Sequence, residues 1–136
     1  MASGGRSVFI VDDQTTIQKM LSDLLGCLGY NTMGASDGYE AVRIYRERKD
    51  QIGLILLDVV MPGMNGFSAL EKLREINPSV KVIICSAYFK QEQLSETNKA
   101  QISGFLSKPY SITTLSEKME EVLAAAAEQQ DIAKNN

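Results

Sequence analysis

Five short apolar runs, each followed by a stretch of helical periodicity, limit the fold of this chain more than any other feature. The most hydrophobic run, Leu54 to Leu57 within "GLILLDVVMPGMNG" (53–66), leaves no polar face. A strand of that kind is buried on both sides, which requires a layer above it and a layer below. The other runs are "SVFIVDD" (7–13), "YNTMGAS" (30–36), "VKVIICSA" (80–87) and "ISGFLSKP" (102–109). Between the first two, Ile17, Met20, Leu21, Leu24, Leu25 and Leu28 share one helical face, and Gly29 supplies a stop. Asp37 and Glu40 form a capping-box-like start for a helix presenting Ala41, Val42 and Tyr45 inward. Asn65 can cap a helix with Phe67, Leu70 and Leu73 on its buried side. "KQEQLSETNKA" predicts a short polar helix, and "SITTLSEKMEEVLAAAA" (111–127) a last one carrying Leu115, Met119, Val122 and Leu123. Strict alternation with short connections predicts an α/β protein, an open doubly wound parallel sheet with helices on both faces. Such sheets bind ligands beyond the C-terminal ends of their strands.

The 136 residues suffice for one domain with a single core. Seventeen acids against 14 bases give a net charge of -3, with no basic footprint for nucleic acid and no polybasic membrane patch. No apolar run approaches the roughly 18 residues that span a bilayer. The opening "MASGGRS" lacks the hydrophobic segment of a secretory signal. The expectation is a flexible leader over residues 1–6, a domain over 7–127, a frayed tail over 128–136, and a cytoplasmic location. Cys27 and Cys85, without CxxC spacing, are expected to be reduced and buried. Histidine is absent, which excludes a histidine-activated nucleophile, histidine ligation of zinc and phosphohistidine chemistry within this chain. Carboxylates, hydroxyls, lysine or a hard metal remain to do any chemistry.

The strand ends carry those groups. The first run ends in Asp12 and Asp13, the third in Asp58, the fourth in Ser86, and the fifth in Lys108 before Pro109. Taken singly, acids cap helices, serine ends strands and lysine is solvated. Together they converge where this architecture places ligands. Three carboxylates within a few ångströms repel one another, and a cation relieves the repulsion. Oxygen-only ligation selects Mg²⁺ over zinc. A divalent ion beside a carboxylate suits phosphoryl transfer, with Lys108 and Ser86 holding the remaining phosphoryl oxygens.

"VDD", "LLDVVMPGMNG", "ICSAY" and "FLSKP", in this order and at these spacings, resemble the receiver domain of two-component response regulators, of the chemotaxis-regulator type, over about residues 7 to 124. The resemblance implies a three-layer, flavodoxin-like (βα)5 sandwich with strand order 2-1-3-4-5. It implies Asp58 as the phosphoacceptor nucleophile, Mg²⁺ held by Asp13, Asp58 and the backbone carbonyl of Val60, and Asp12 acting directly or through water. Lys108 would pair with the phosphoryl group, Ser86 would be the switch hydroxyl, Phe105 the aromatic switch, and Lys108–Pro109 a cis peptide. Pro62 and Gly63 suit a type II turn that leaves the Val60 carbonyl facing the metal.

The implied partners are a histidine kinase or histidine phosphotransfer domain as donor, and a downstream target on the surface of the fourth helix, fifth strand and fifth helix. Phe89 and Tyr110 flank that surface as partner anchors or, equally well, as half-buried packing residues. The domain would be no enzyme toward other substrates, catalysing only its own phosphorylation and dephosphorylation. Val60 and Tyr88, two residues beyond Asp58 and Ser86, are bulky or apolar, which predicts slow loss of phosphate. "INPSVKVIICSAY" and "GFLSKPYSITTL" equally resemble a phosphorelay receiver module of a hybrid sensor kinase. Two other readings share these elements. A haloacid-dehalogenase-type, Mg²⁺-dependent aspartyl phosphatase wants an acid where Val60 stands. An FMN-binding flavodoxin-like module wants a loop rich in hydroxyls and glycine where "DDQTTIQ" stands.

Overall fold

A computed structural model describes residues 6–59, 64–87 and 94–135, with side chains to residue 124. Its elements are β1 (Ser7–Val11), α1 (Thr15–Cys27), β2 (Asn31–Ala35), α2 (Gly38–Arg48), β3 (Ile52–Asp58), α3 (Gly66–Ile76), β4 (Val82–Ser86), α4 (Glu96–Gln101), β5 (Gly104–Ser107) and α5 (Ile112–Asn135). All pairings are parallel and the strand order is β2-β1-β3-β4-β5, the doubly wound sheet that the alternation predicts.

The pleat sorts the strand residues into two cores. Phe9, Val11, Ile55, Leu57, Ile84 and Phe105 pack with Ala41, Val42 and Tyr45 of α2 and with Leu70 and Leu73 of α3. Val8, Ile10, Leu54, Leu56, Cys85 and Leu106 pack with Leu21 and Leu25 of α1 and with Leu115 and Met119 of α5. Two cores on one sheet make the three layers, and they explain why β3 has no polar face. The helix starts follow the cap residues: Asp37 accepts from the Glu40 amide at 2.8 Å, and Asn65 from the Ser68 amide at 3.0 Å. Ser95 caps α4 in the same way. Gly29 ends α1 with φ +94°, where a side chain would be strained.

Two expectations need correction. Leu21 and Leu25 of the α1 stripe are buried, whereas Met20, Leu24 and Leu28 are 49%, 37% and 44% exposed. Six apolar residues cover a wider arc than one helix can press onto a sheet, so Met20 and Leu24 at one edge stay on the flank, while Leu28 follows the last helical residue, Cys27. Cys85 is buried but Cys27, at the end of that helix, is exposed. The backbone of α5 is helical from Ile112 to Asn135, past the apolar stripe. Four consecutive alanines followed by Glu128, Gln129 and Gln130 are strong helix formers.

Candidate functional site

The sheet register brings the strand-end residues together. Val11 pairs with Leu57 and Asp58 with Cys85, so Asp12 follows β1 beside Asp58. Ser86 pairs with Ser107, and the Lys108 amide donates to the Ser86 carbonyl at 2.7 Å. One carboxylate oxygen from each of Asp12, Asp13 and Asp58 lies within 4.8 Å of the others. Lys108 Nζ stands 3.0 Å from Asp12 Oδ2 and 3.5 Å from Asp58 Oδ2. Continuing the pleat, Asp12, Asp58 and Lys108 share the α1/α5 side of the sheet. Ser86 and Phe105 share the opposite side, Ser86 fully buried and Phe105 inside the α2/α3 core. Lys108–Pro109 is cis.

The electrostatics follow from burial. Asp12 and Asp58 are nearly enclosed, and Asp13 is half-exposed. Burial pulls the Lys108 ammonium down, but the hydrogen bond to Asp12 and the charges of Asp58 and Asp12 outweigh it and hold its pKa above the ordinary lysine range. On the same side of the sheet, burial pushes the Cys85 thiol up to about 12 and also raises Tyr110, to which the thiol is hydrogen-bonded. Neither group is poised for chemistry at neutral pH. An open apolar cleft lined by Ile17, Met20, Ala87, Pro109 and Tyr110 adjoins Lys108.

The donor set fits a hard divalent cation. It is all oxygen, it has three carboxylates on one lysine, and its half-exposed member leaves room for water ligands. Val60, expected to add a carbonyl, lies outside the described residues, as do the turn of Met61, Pro62 and Gly63, and Tyr88 and Phe89. Tyr110 is a half-buried packing residue against the α1/α5 core. The strand-end reasoning overlooks Gln18. Its Nε2 donates to the Asp12 carbonyl at 2.6 Å and the Ala35 carbonyl at 2.8 Å, with Ser36 Oγ at 3.3 Å. Its only trace in the sequence is a long amide between Ile17 and Leu21 on an otherwise apolar stripe.

The sequence model of the response regulator receiver domain family matches residues 8–120, from β1 into α5. The chain belongs to that family. The receiver domain is 37% identical over 119 residues to chemotaxis protein CheY of Thermotoga maritima, covering 87% of this chain and 98% of that protein. It is 32% identical over 121 residues to sensor kinase CckA of Brucella abortus, covering 89% of this chain and 13% of the kinase. Among solved structures, a chain of the CheX–CheY–BeF3–Mg²⁺ complex from Borrelia burgdorferi superposes with a TM-score of 0.80 at 29% identity, over 86% of this chain and 88% of that one. This is a two-component signalling module, and its strand order is the one the resemblance implied. No helix among the described residues is long and apolar enough to cross a membrane.

Proposed function

We propose that this receiver domain accepts a phosphoryl group on Asp58 from a phosphohistidine that a partner protein presents. The observation that carries this reading is the position of Asp58. It is the last residue of β3, the longest strand and buried at six of its seven positions, with two further carboxylates within 4.8 Å and an ammonium at 3.5 Å. The chain has no histidine, so a histidine kinase or a histidine phosphotransfer domain must bring the donor. An Asp58 carboxylate oxygen attacks the phosphorus, a P–O bond forms, the P–N bond to the donor imidazole breaks, and an acyl phosphate results. Asp12, Asp13 and Asp58, with the Val60 carbonyl, are the residues that would hold Mg²⁺; when bound, the ion neutralises charge on the transferring group. Lys108 leaves its carboxylate partners for the phosphoryl oxygens, which carry roughly two negative charges.

Ser86 and Phe105 lie on one side of the sheet, which supports their working as a pair. Ser86 bonds the new phosphoryl oxygen and Phe105 fills the space behind it, biasing a pre-existing equilibrium at the surface of α4, β5 and α5 where a downstream target binds. The domain acts on no substrate but itself. The chain spans 13% of the CckA kinase it resembles, which supports a second setting, a phosphorelay receiver in a hybrid sensor kinase. The test is incubation with a small phosphodonor and Mg²⁺, followed by mass mapping of the proteolysed chain. An added phosphate on the peptide holding Asp58, absent from Asp58→Ala, is the expected result. Equal labelling of Asp58→Ala refutes the assignment. Loss of any phosphorylation-dependent change in partner affinity in Ser86→Ala tests the switch.

A further inference from the structure

We propose that Gln18 is a positioning residue for the acidic site, orienting the peptide that joins Asp12 to Asp13, and that Gly34 keeps open the space this amide needs. The inference rests on the proposed cation site and adds to it a residue that does not touch the cation. Asp12 is held along its backbone on both sides. Its N–H donates to the Ala35 carbonyl at 3.1 Å, and its own carbonyl accepts from Gln18 at 2.6 Å. A peptide unit is planar, so fixing the Asp12 carbonyl direction fixes the plane from which Asp13 departs. The Asp12 side chain is separately engaged, with Oδ1 on the Gln14 amide at 2.9 Å and Oδ2 on Lys108. Asp13, half-exposed, depends on the orientation of that peptide for its place among the three carboxylates.

The identity of Gln18 follows from the acceptors around it. Two main-chain carbonyls converge on one side-chain atom, and carbonyls only accept, so the atom must be the amide nitrogen. A lysine would bring a charge beside the cation site, and a shorter amide on α1 would not reach both strands. On the far side of the amide, Gln18 Oε1 lies against Gly34 of the edge strand β2, inside the distance any Cβ at position 34 would need. Gly34 is itself exposed on β2, so its lack of a side chain is not set by core packing. An alanine there displaces the Gln18 amide without touching an aspartate.

A residue that only glued α1 to β1 and β2 would change melting temperature and leave cation affinity alone. The experiment is calorimetric titration of the full chain with MgCl₂, with thermal melts of the metal-free proteins and the Asp13 amide NMR shift followed in parallel. Gln18→Met keeps length and helix propensity but donates no hydrogen bond. It should weaken Mg²⁺ binding about tenfold, the lower end of what outer-shell partners of metal ligands contribute, and should shift the Asp13 amide in the metal-free protein. Gly34→Ala should weaken binding comparably, and it carries the test should Gln18→Met not fold. Because both act through one amide, the double variant should bind no more weakly than either single one. Unchanged Mg²⁺ affinity in Gln18→Met despite a lower melting temperature would overturn the assignment. So would a Gly34→Ala effect that persists in full in the Gln18→Met background. Wild-type protein that binds no Mg²⁺ strikes instead at the carboxylate site, and the role of Gln18 falls with it.

Discussion

At Asp13 the charges of the site are least compensated. Lys108 reaches Asp12 at 3.0 Å and Asp58 at 3.5 Å, while Asp13 approaches both carboxylates within 4.8 Å. Unit charges at that separation repel by about 1 kcal/mol when water screens them, and by more where the wall is protein. Asp13→Asn should therefore raise the metal-free melting temperature by a few degrees, as expected for about 1 kcal/mol in a domain of this size. The same variant should lose most of the rise that Mg²⁺ confers on wild type. Melts with and without 10 mM-range MgCl₂ check both halves, and a lower metal-free value would contradict the repulsion argument. At the same scale, Val60→Asn with Tyr88→Ala should shorten the lifetime of phosphorylated protein, read by loss of labelled chain over time. An unchanged decay rate rejects that idea. The aspartates, Ser86 and Lys108 were legible in the sequence because each ends an apolar run, and a parallel sheet aligns all such ends. Gln18 was not, because its role exists only once β2 lies beside β1, and no spacing within the α1 stripe encodes that approach.

Between elements, the tightest junction is the one that follows Asp58. The Gly66 amide donates to the Val59 carbonyl at 3.0 Å, and a Cβ on Gly66 would lie 2.7 Å from the Asp58 carbonyl oxygen and closer still to the Val59 backbone. Backbone cannot step aside as a flexible side chain can, so α3 can start against β3 only without a side chain there. Gly66→Ala should cost about 1–3 kcal/mol, the usual range for overpacking, and should weaken Mg²⁺ binding because the displaced segment carries Asp58. Gly26→Ala is the contrast. Nothing lies within 4 Å of its Cβ position on α1, so the gain in helix propensity should stabilise the protein by about 0.5–1 kcal/mol. Urea unfolding of the two variants should move in opposite directions. Helix starts were readable at this scale, since Asp37 and Asn65 cap through local bonds that their spacing announces. The burial of the α1 stripe was not: period alone marks Met20, Leu24 and Leu28 as it marks Leu21 and Leu25, and the finite width of the sheet contact and the end of the helix at Cys27 separate them.

Over the whole molecule, parallel layering was legible because two-faced apolar strands admit few arrangements, whereas the strand order came from the motif resemblance and not from periodicity. The same two-sided burial has a consequence for pH. With no histidine, no imidazole titration perturbs stability between pH 6 and 8. Above that range, several groups carry raised values: burial lifts the Tyr30 and Tyr45 phenols, the Tyr110 phenol and the Cys85 thiol, and the site carboxylates lift Lys108. A group whose folded value is raised contributes stability that is complete below its unfolded value and is lost as pH climbs through the folded one. For Cys85 the window opens near 9.0, where the unfolded chain releases the proton, and closes at about 12. Within it the folded state holds a proton that the unfolded state has given up, and stability falls by at most about 1.4 kcal/mol per pH unit per group. The melting temperature should thus stay level from pH 6 to 8 and decline progressively above 9. Cys85→Ala removes one contributor, so its decline from pH 9 to 11 should be shallower than that of wild type, whatever the cavity does to the starting value. Parallel slopes for the two proteins would mean that the buried thiol takes no part in alkaline unfolding.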